Sequence, residues 1–158
     1  MNRDLTRQLA VVLTFVLTLI FNGMATTGAL GGTPTADISN AYPIAFVPAN
    51  VTFSIWGVIY TGLLLFVIYQ ALPAQRENPI LRRIGWLFVF SGVANALWLV
   101  LFQYELFVAS VPVMLILLVT LIAIYQQTGI RESVVSRGTR WLVQIPFSIY
   151  LGWITVAT

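Results

Sequence analysis

Apolar stretches of about 20 residues, each long enough to cross a hydrocarbon core roughly 30 Å thick, follow one another along this chain. Its eight basic residues, all arginine, fall before the first stretch and in every second gap thereafter. A backbone surrounded by lipid must satisfy every N–H and C=O group internally, so such a pattern confines the chain to a bundle of spanning helices. The expected fold class is all-α integral membrane, a single five-helix transmembrane domain over residues 1–158.

Five spans can be placed, at about 9–31, 47–72, 79–102, 106–125 and 141–158. Pro48 sits in the first turn of the second, where a missing N–H costs little. Asn78 and Pro79 form an N-cap and first-turn pair for the third. Pro112 and Pro146 lie inside the fourth and fifth, which predicts bends whose freed carbonyls neighbouring helices satisfy. The first run is too long for a signal-peptide core and lacks a small-residue cleavage site, so it reads as a span.

The gaps carry a one-sided charge signal. Arg3 and Arg7 precede the first span, Arg76, Arg82 and Arg83 follow the second, and Arg131, Arg137 and Arg140 follow the fourth. The other two gaps hold only Asp37 and Glu105 as charged residues. The positive-inside rule then predicts an inside N-terminus and an outside C-terminus, an arrangement that fits a bacterial inner membrane. Arginines placed between apolar runs are topology signals, so no nucleic-acid partner is expected.

Only 8% of the residues are charged, and cysteine and histidine are absent. That excludes disulfides, thiol nucleophiles, zinc sites and imidazole-based catalysis. No charged side chain is predicted deep in the bilayer, which argues against a proton pump, an ion-coupled carrier and a carboxylate-based enzyme. The intramembrane amides are Asn22, Asn50, Asn95 and Gln144; the simplest use for them is interhelical hydrogen bonding, with Asn50 near interfacial water.

Small residues (Gly23, Ala25 and Gly28, then Ser54, Gly57 and Gly62, then Ser91, Gly92, Ala94 and Ala96) suit close helix packing or leave room for a ligand. Trp86 and Trp141 sit near arginine-bearing ends, as interfacial anchors do. Deeper aromatics come in pairs that share helix faces: Trp56 with Tyr60, Trp98 with Phe102, and Tyr150 with Trp153. Such pairs either fill a core or line a stacking site. Residues 32–46, rich in turn formers, are a connector or a lid.

These features together resemble the tryptophan-rich sensory protein/translocator protein family (TspO/MBR). That family has five membrane helices and a long loop after the first. Its second helix follows a proline and carries Trp-x-x-x-Tyr, matched by Pro48, Trp56 and Tyr60. Its third carries Asn-x-x-Trp-x-x-x-Phe, matched by Asn95, Trp98 and Phe102. Its fifth begins with a proline, matched by Pro146, but Tyr150 stands where the family has tryptophan and Trp153 where it has phenylalanine. Ser91 replaces a customary glutamine, and the family's closing Tyr-Leu-Asn stretch lies beyond the last residue given. The chain is thus similar to a divergent member.

The resemblance implies tetrapyrrole ligands such as porphyrin or haem, held between helices under the first loop by Trp56, Tyr60, Asn95, Trp98, Phe102, Tyr150 and Trp153, with no catalytic residue and no metal ligand. Loop 32–46 would then be a lid. Aromatic walls with a few amides suit a flat apolar ring bearing propionates. No obligatory cofactor is expected, and a haem would bind without His or Cys axial ligation. Expected partners are the bilayer, such a ligand or a sterol or lipid, and a second copy of the chain as one available assembly. The leading expectation is a ligand-binding sensor or regulator; the alternatives are photo-oxidative porphyrin breakdown, which the change to Tyr150 disfavours, and porphyrin or lipid transport. A sterol-type pattern can also be read at Leu121, Tyr125 and Arg131, on a different helix from the family's.

Overall fold

A computed structural model describes residues 3–42, 54–130 and 135–158. Pro48, Asn50 and the start of the second expected span lie outside the described residues, as does Arg131. The helices are α1 (Arg3–Thr27), α2 (Thr35–Ala41), α3 (Ile55–Ala71), α4 (Pro79–Gln103), α5 (Phe107–Gln127), a single turn α6 (Arg137–Thr139) and α7 (Ile145–Ala157). Among the described residues α1, α4 and α5 are long and apolar enough to cross a membrane, and α3 is a shorter apolar helix. The five long helices close into a ring in the order α1, α4, α5, α7, α3 and back to α1.

The helix ends follow from local chemistry. Asn78 caps α4, its Oδ1 accepting from the Ile80 and Leu81 N–H groups at 3.0 and 3.4 Å, with Pro79 in the first turn. α1 stops earlier than expected because Gly28, at φ 76°, turns the chain. It also starts earlier, so Arg7 lies within the helix and is only 2% exposed. Between α6 and α7, residues Arg140–Gln144 form a π-helical turn in which the Ile145 N–H reaches the Arg140 carbonyl. Proline lacks a donor and collides with the carbonyl four residues back. A wider turn directly before Pro146 relieves that collision, so the fifth expected span is two segments.

Phe66, Phe88 and Phe147 meet in the centre of the ring at centroid distances of 4.9 to 6.0 Å. Lipid is as apolar as these side chains, so their packing holds the helices by dispersion rather than by expulsion of water. Some small residues do permit close crossings: Gly62 lies against Pro146, and Gly92 against Thr14. Others do not, since a Cβ at Gly23 or Gly57 would meet nothing within 4 Å.

The arginine-bearing end is tied by polar contacts. Arg82 grips Asp4 with two hydrogen bonds of 2.9 and 2.6 Å. Arg7 Nη2 donates to the Arg76 carbonyl at 2.9 Å and its stem lies over Gly85. Gln8 and Gln70 exchange hydrogen bonds with each other's backbone at 2.6 and 3.2 Å. Trp86 and Trp141, on the same end, are 53% and 65% exposed, as anchors require.

Candidate functional site

The seven expected site residues fall into two aromatic groups. In the first, α3 and α7 face each other. Trp56 stacks on Tyr60 at 5.5 Å with an interplanar angle of 17°, as a four-residue helical spacing permits. From α7, Tyr150 and Trp153 present their rings to Trp56 at 6.3 Å and 6.0 Å, at 64° and 80°. Such tilted geometries suit the aromatic quadrupole. Trp56 therefore touches all three other members.

Asn95 joins this group from α4. It is 1% exposed, and its Oδ1 accepts a hydrogen bond from Asn22 Nδ2 of α1 at 2.9 Å. Asn22 also donates to the Thr18 carbonyl at 2.8 Å. The other half of the Asn95 carboxamide lies beside the Tyr150 hydroxyl, yet Nδ2 makes no hydrogen bond of acceptable geometry. The Tyr60 hydroxyl and Trp153 Nε1 are likewise buried without a partner among the described residues. Each such group costs about 1–3 kcal/mol. Three helices thus each carry a buried, unsatisfied hydrogen-bonding group at one aromatic cluster.

The second group runs from α4 to the loop. Trp98 packs on Phe102 at 5.3 Å, Phe102 on Phe107 at 5.4 Å, and Phe107 on Tyr42 at 4.9 Å and 83°. The Tyr42 hydroxyl donates to Glu105 at 2.6 Å, and that bond together with the carboxylate's charge holds the phenol above its ordinary pKa. Among the described residues no ring contact joins this group to the first.

The described part of the loop is more ordered than a connector. Pro34 accepts from the N–H groups of Asp37 and Ile38 at 3.0 and 3.1 Å, which starts α2, and Ile38 is buried. Gln103, at the last turn of α4, is the chief polar contact beneath it. Its Nε2 donates to the carbonyls of Ala25, Leu30 and Thr33 at 3.2, 2.8 and 3.0 Å. Its Oε1 accepts from Thr35 Oγ1 at 3.2 Å. Gln103, Tyr42 and Phe107 escaped the reading of the sequence. A glutamine closing an apolar helix was the one available signal.

Two apolar grooves open elsewhere on the bundle. One, of about 280 Å³, lies between α1 and α4 around Gly92; the other, of about 420 Å³, lies between α3 and α7 around Gly62. Neither is lined by any of the seven site residues. Of the sterol-type pattern, Leu121 is buried within the ring of helices and Tyr125 is half-buried, while Arg131 lies outside the described residues.

The groups gathered at the first cluster are aromatic rings and hydrogen-bond donors. No cluster of three or more acidic, histidine or cysteine side chains able to hold an ion occurs among the described residues. Indole and carboxamide N–H groups can donate to a carboxylate or carbonyl, as a propionate-bearing ring would require.

No curated protein and no solved structure matches the chain. A family model described as TSPO-like protein matches residues 8–158, nearly the whole chain and every element of both aromatic groups, and the chain therefore belongs to the TSPO-like family.

Proposed function

We propose that this multi-pass membrane protein is a ligand-binding sensor or regulator that takes a tetrapyrrole, or a similar flat apolar ligand with acceptor groups, between α3, α4 and α7. The supporting observation is the convergence of Tyr60 Oη, Asn95 Nδ2 and Trp153 Nε1, buried and unpartnered, on the rings stacked around Trp56. Buried polar groups are normally satisfied. Acceptors on a ligand would satisfy these, while its ring replaces the aromatic contacts it displaces. Titration of the purified protein with protoporphyrin, haem and a sterol, followed by tryptophan fluorescence, tests the reading. Saturable quenching by the porphyrins is expected; none at micromolar concentration would remove it.

A second reading is photo-oxidative breakdown of porphyrin. It is favoured by the contact of Trp56 with a second indole, Trp153, both able to donate an electron to a photo-excited ring with dioxygen as the oxidant, and the phenol at Tyr150 stands against it. Loss of porphyrin absorbance in light, abolished by Trp56→Phe, would support it over simple binding.

The orientation proposed places the arginine-bearing end in the cytoplasm. A reporter fused after Thr158 should then read outside, and a cytoplasmic signal there would overturn the topology.

A further inference from the structure

We infer that Gln103 is the positioning residue that holds the lid, residues 28–42, closed over the arginine-free end of the bundle, and that its release sets how fast ligand exchanges. The inference rests on the ligand-binding reading above. Gln103 is 3% exposed, and its side chain bonds Leu30 and Thr33 of the segment joining α1 to α2, Ala25 at the end of α1 and Thr35 at the start of α2. Its two amide hydrogens are shared among three carbonyl acceptors. The acceptor side is fixed by Thr35.

The backbone closes on the same residue. Gly31 has φ 78°, and a Cβ there would stand 2.7 Å from the Gln103 carbonyl oxygen. Only glycine permits that approach without strain. With Gly28 and Gly32 also at positive φ, the loop has three glycine turns on either side of the point where Gln103 grips it. The far end of the lid is tied at Tyr42 to Glu105 and Phe107. Both attachments lie at the corner between α4 and α5. Through Phe107 and Phe102 the far end of the lid reaches Trp98, one of the expected site residues.

A latch of this kind gates exchange without contributing to the bound state. Replacing it should raise association and dissociation rates together and leave affinity nearly unchanged, a signature that lost ligand contact or general loosening does not give. The test uses Gln103→Met, close in size but unable to donate, and Gln103→Glu, which sets a carboxylate against three carbonyls. Thr35→Val, which leaves Gln103 in place, is the milder variant should the others fold poorly.

Amide exchange in ligand-free protein comes first, read at Gly32, Asp37 and Ile38, whose N–H groups are bonded within the lid, and at Leu30, whose N–H reaches the Met24 carbonyl of α1. Exchange there should accelerate about tenfold in Gln103→Met, more in Gln103→Glu and less in Thr35→Val, as expected for net hydrogen bonds near 1 kcal/mol. Protoporphyrin association and dissociation, by stopped-flow fluorescence, should both rise about tenfold with the dissociation constant within about threefold of wild type. Unchanged lid exchange in all three variants overturns the latch. Faster lid exchange with unchanged porphyrin rates overturns its control of the site. If wild-type protein binds no porphyrin, the ligand reading fails, and with it the gating role, while lid exchange still decides whether Gln103 holds the loop.

Discussion

The two aromatic groups are built from the same kinds of residue and differ in how their polar atoms end. Around Trp56, a tyrosine hydroxyl, an indole N–H and a carboxamide N–H are buried without a hydrogen bond among the described residues. Along the row from Trp98 to Tyr42, the one hydroxyl reaches Glu105 at 2.6 Å, and the neighbouring Gln103 is engaged at both ends. A satisfied group stabilises what it joins, whereas an unsatisfied one is a standing cost that a partner can recover. On the proposed function, the first cluster is where a ligand would gain free energy, and the second is the fastening of the loop above it.

The largest expected effect is at Trp56, the one ring in contact with all others of its cluster. Trp56→Ala should weaken porphyrin binding by on the order of 2 kcal/mol or more, roughly thirtyfold, through lost stacking. A loss below threefold in equilibrium fluorescence titration would move the site away from α3. Asn95→Ala should cost about 1–2 kcal/mol of affinity and less in stability, because Asn22 keeps its bond to the Thr18 carbonyl. If the thermal midpoint in detergent falls sharply while affinity holds, Asn95 is an interhelical tie and not a ligand contact.

Trp153→Phe sharpens the contrast further. It removes an unsatisfied N–H and keeps a ring, so affinity should fall by about 1 kcal/mol while the midpoint stays level or rises. A lowered midpoint with intact binding would contradict the assignment. Haem and metal-free protoporphyrin should bind within about tenfold of each other, since no histidine or cysteine is present to ligate iron. A low-spin six-coordinate haem spectrum would count against this.

The smallest effect concerns the fastening. Tyr42 has its pKa raised in the folded protein, first by its hydrogen bond to Glu105 and also by that group's charge. A raised value means the phenol's contribution is fully present below its ordinary value near 10 and is lost as pH rises through the folded value. Lid exchange should therefore accelerate above pH 10 in wild type relative to Tyr42→Phe. Parallel pH profiles for the two proteins would show that the contact does not hold the lid.

Much of this architecture was legible in the sequence because membrane helices announce themselves by length and apolarity. The third span was placed to within a residue at each end, since Asn78 and Pro79 fix its start by local chemistry alone. The pairing of Trp56 with Tyr60 is also local, set by helical spacing. What the sequence hid depends on distant partners. Gln103 bonds residues about 70 positions away, and Tyr42 meets Phe107 across a similar separation. The short helix α2 was read as loop, because seven residues give little periodicity; its buried Ile38 supplies tertiary support that composition cannot show. Arg7 looked like a flanking charge and lies inside α1, covered by the turn at Arg76 and by α4.

The π-turn at Arg140–Gln144 is, in effect, a one-residue insertion written into a helix. An α-helix advances 100° per residue, and a π-bulge absorbs one extra residue without ending the helix. Because the bulge takes up that residue locally, the face of α7 beyond it keeps its direction: Pro146 against Gly62, and the Tyr150 and Trp153 rings toward Trp56. Removing one residue from the turn would close it to an ordinary helical turn and leave that face nearly in place. A deletion in the regular helix between Pro146 and Tyr150 has no bulge to absorb it, so the residues beyond would be rotated by about 100°, and a frame-preserving loss of three nucleotides there would erase the cluster while sparing the membrane span.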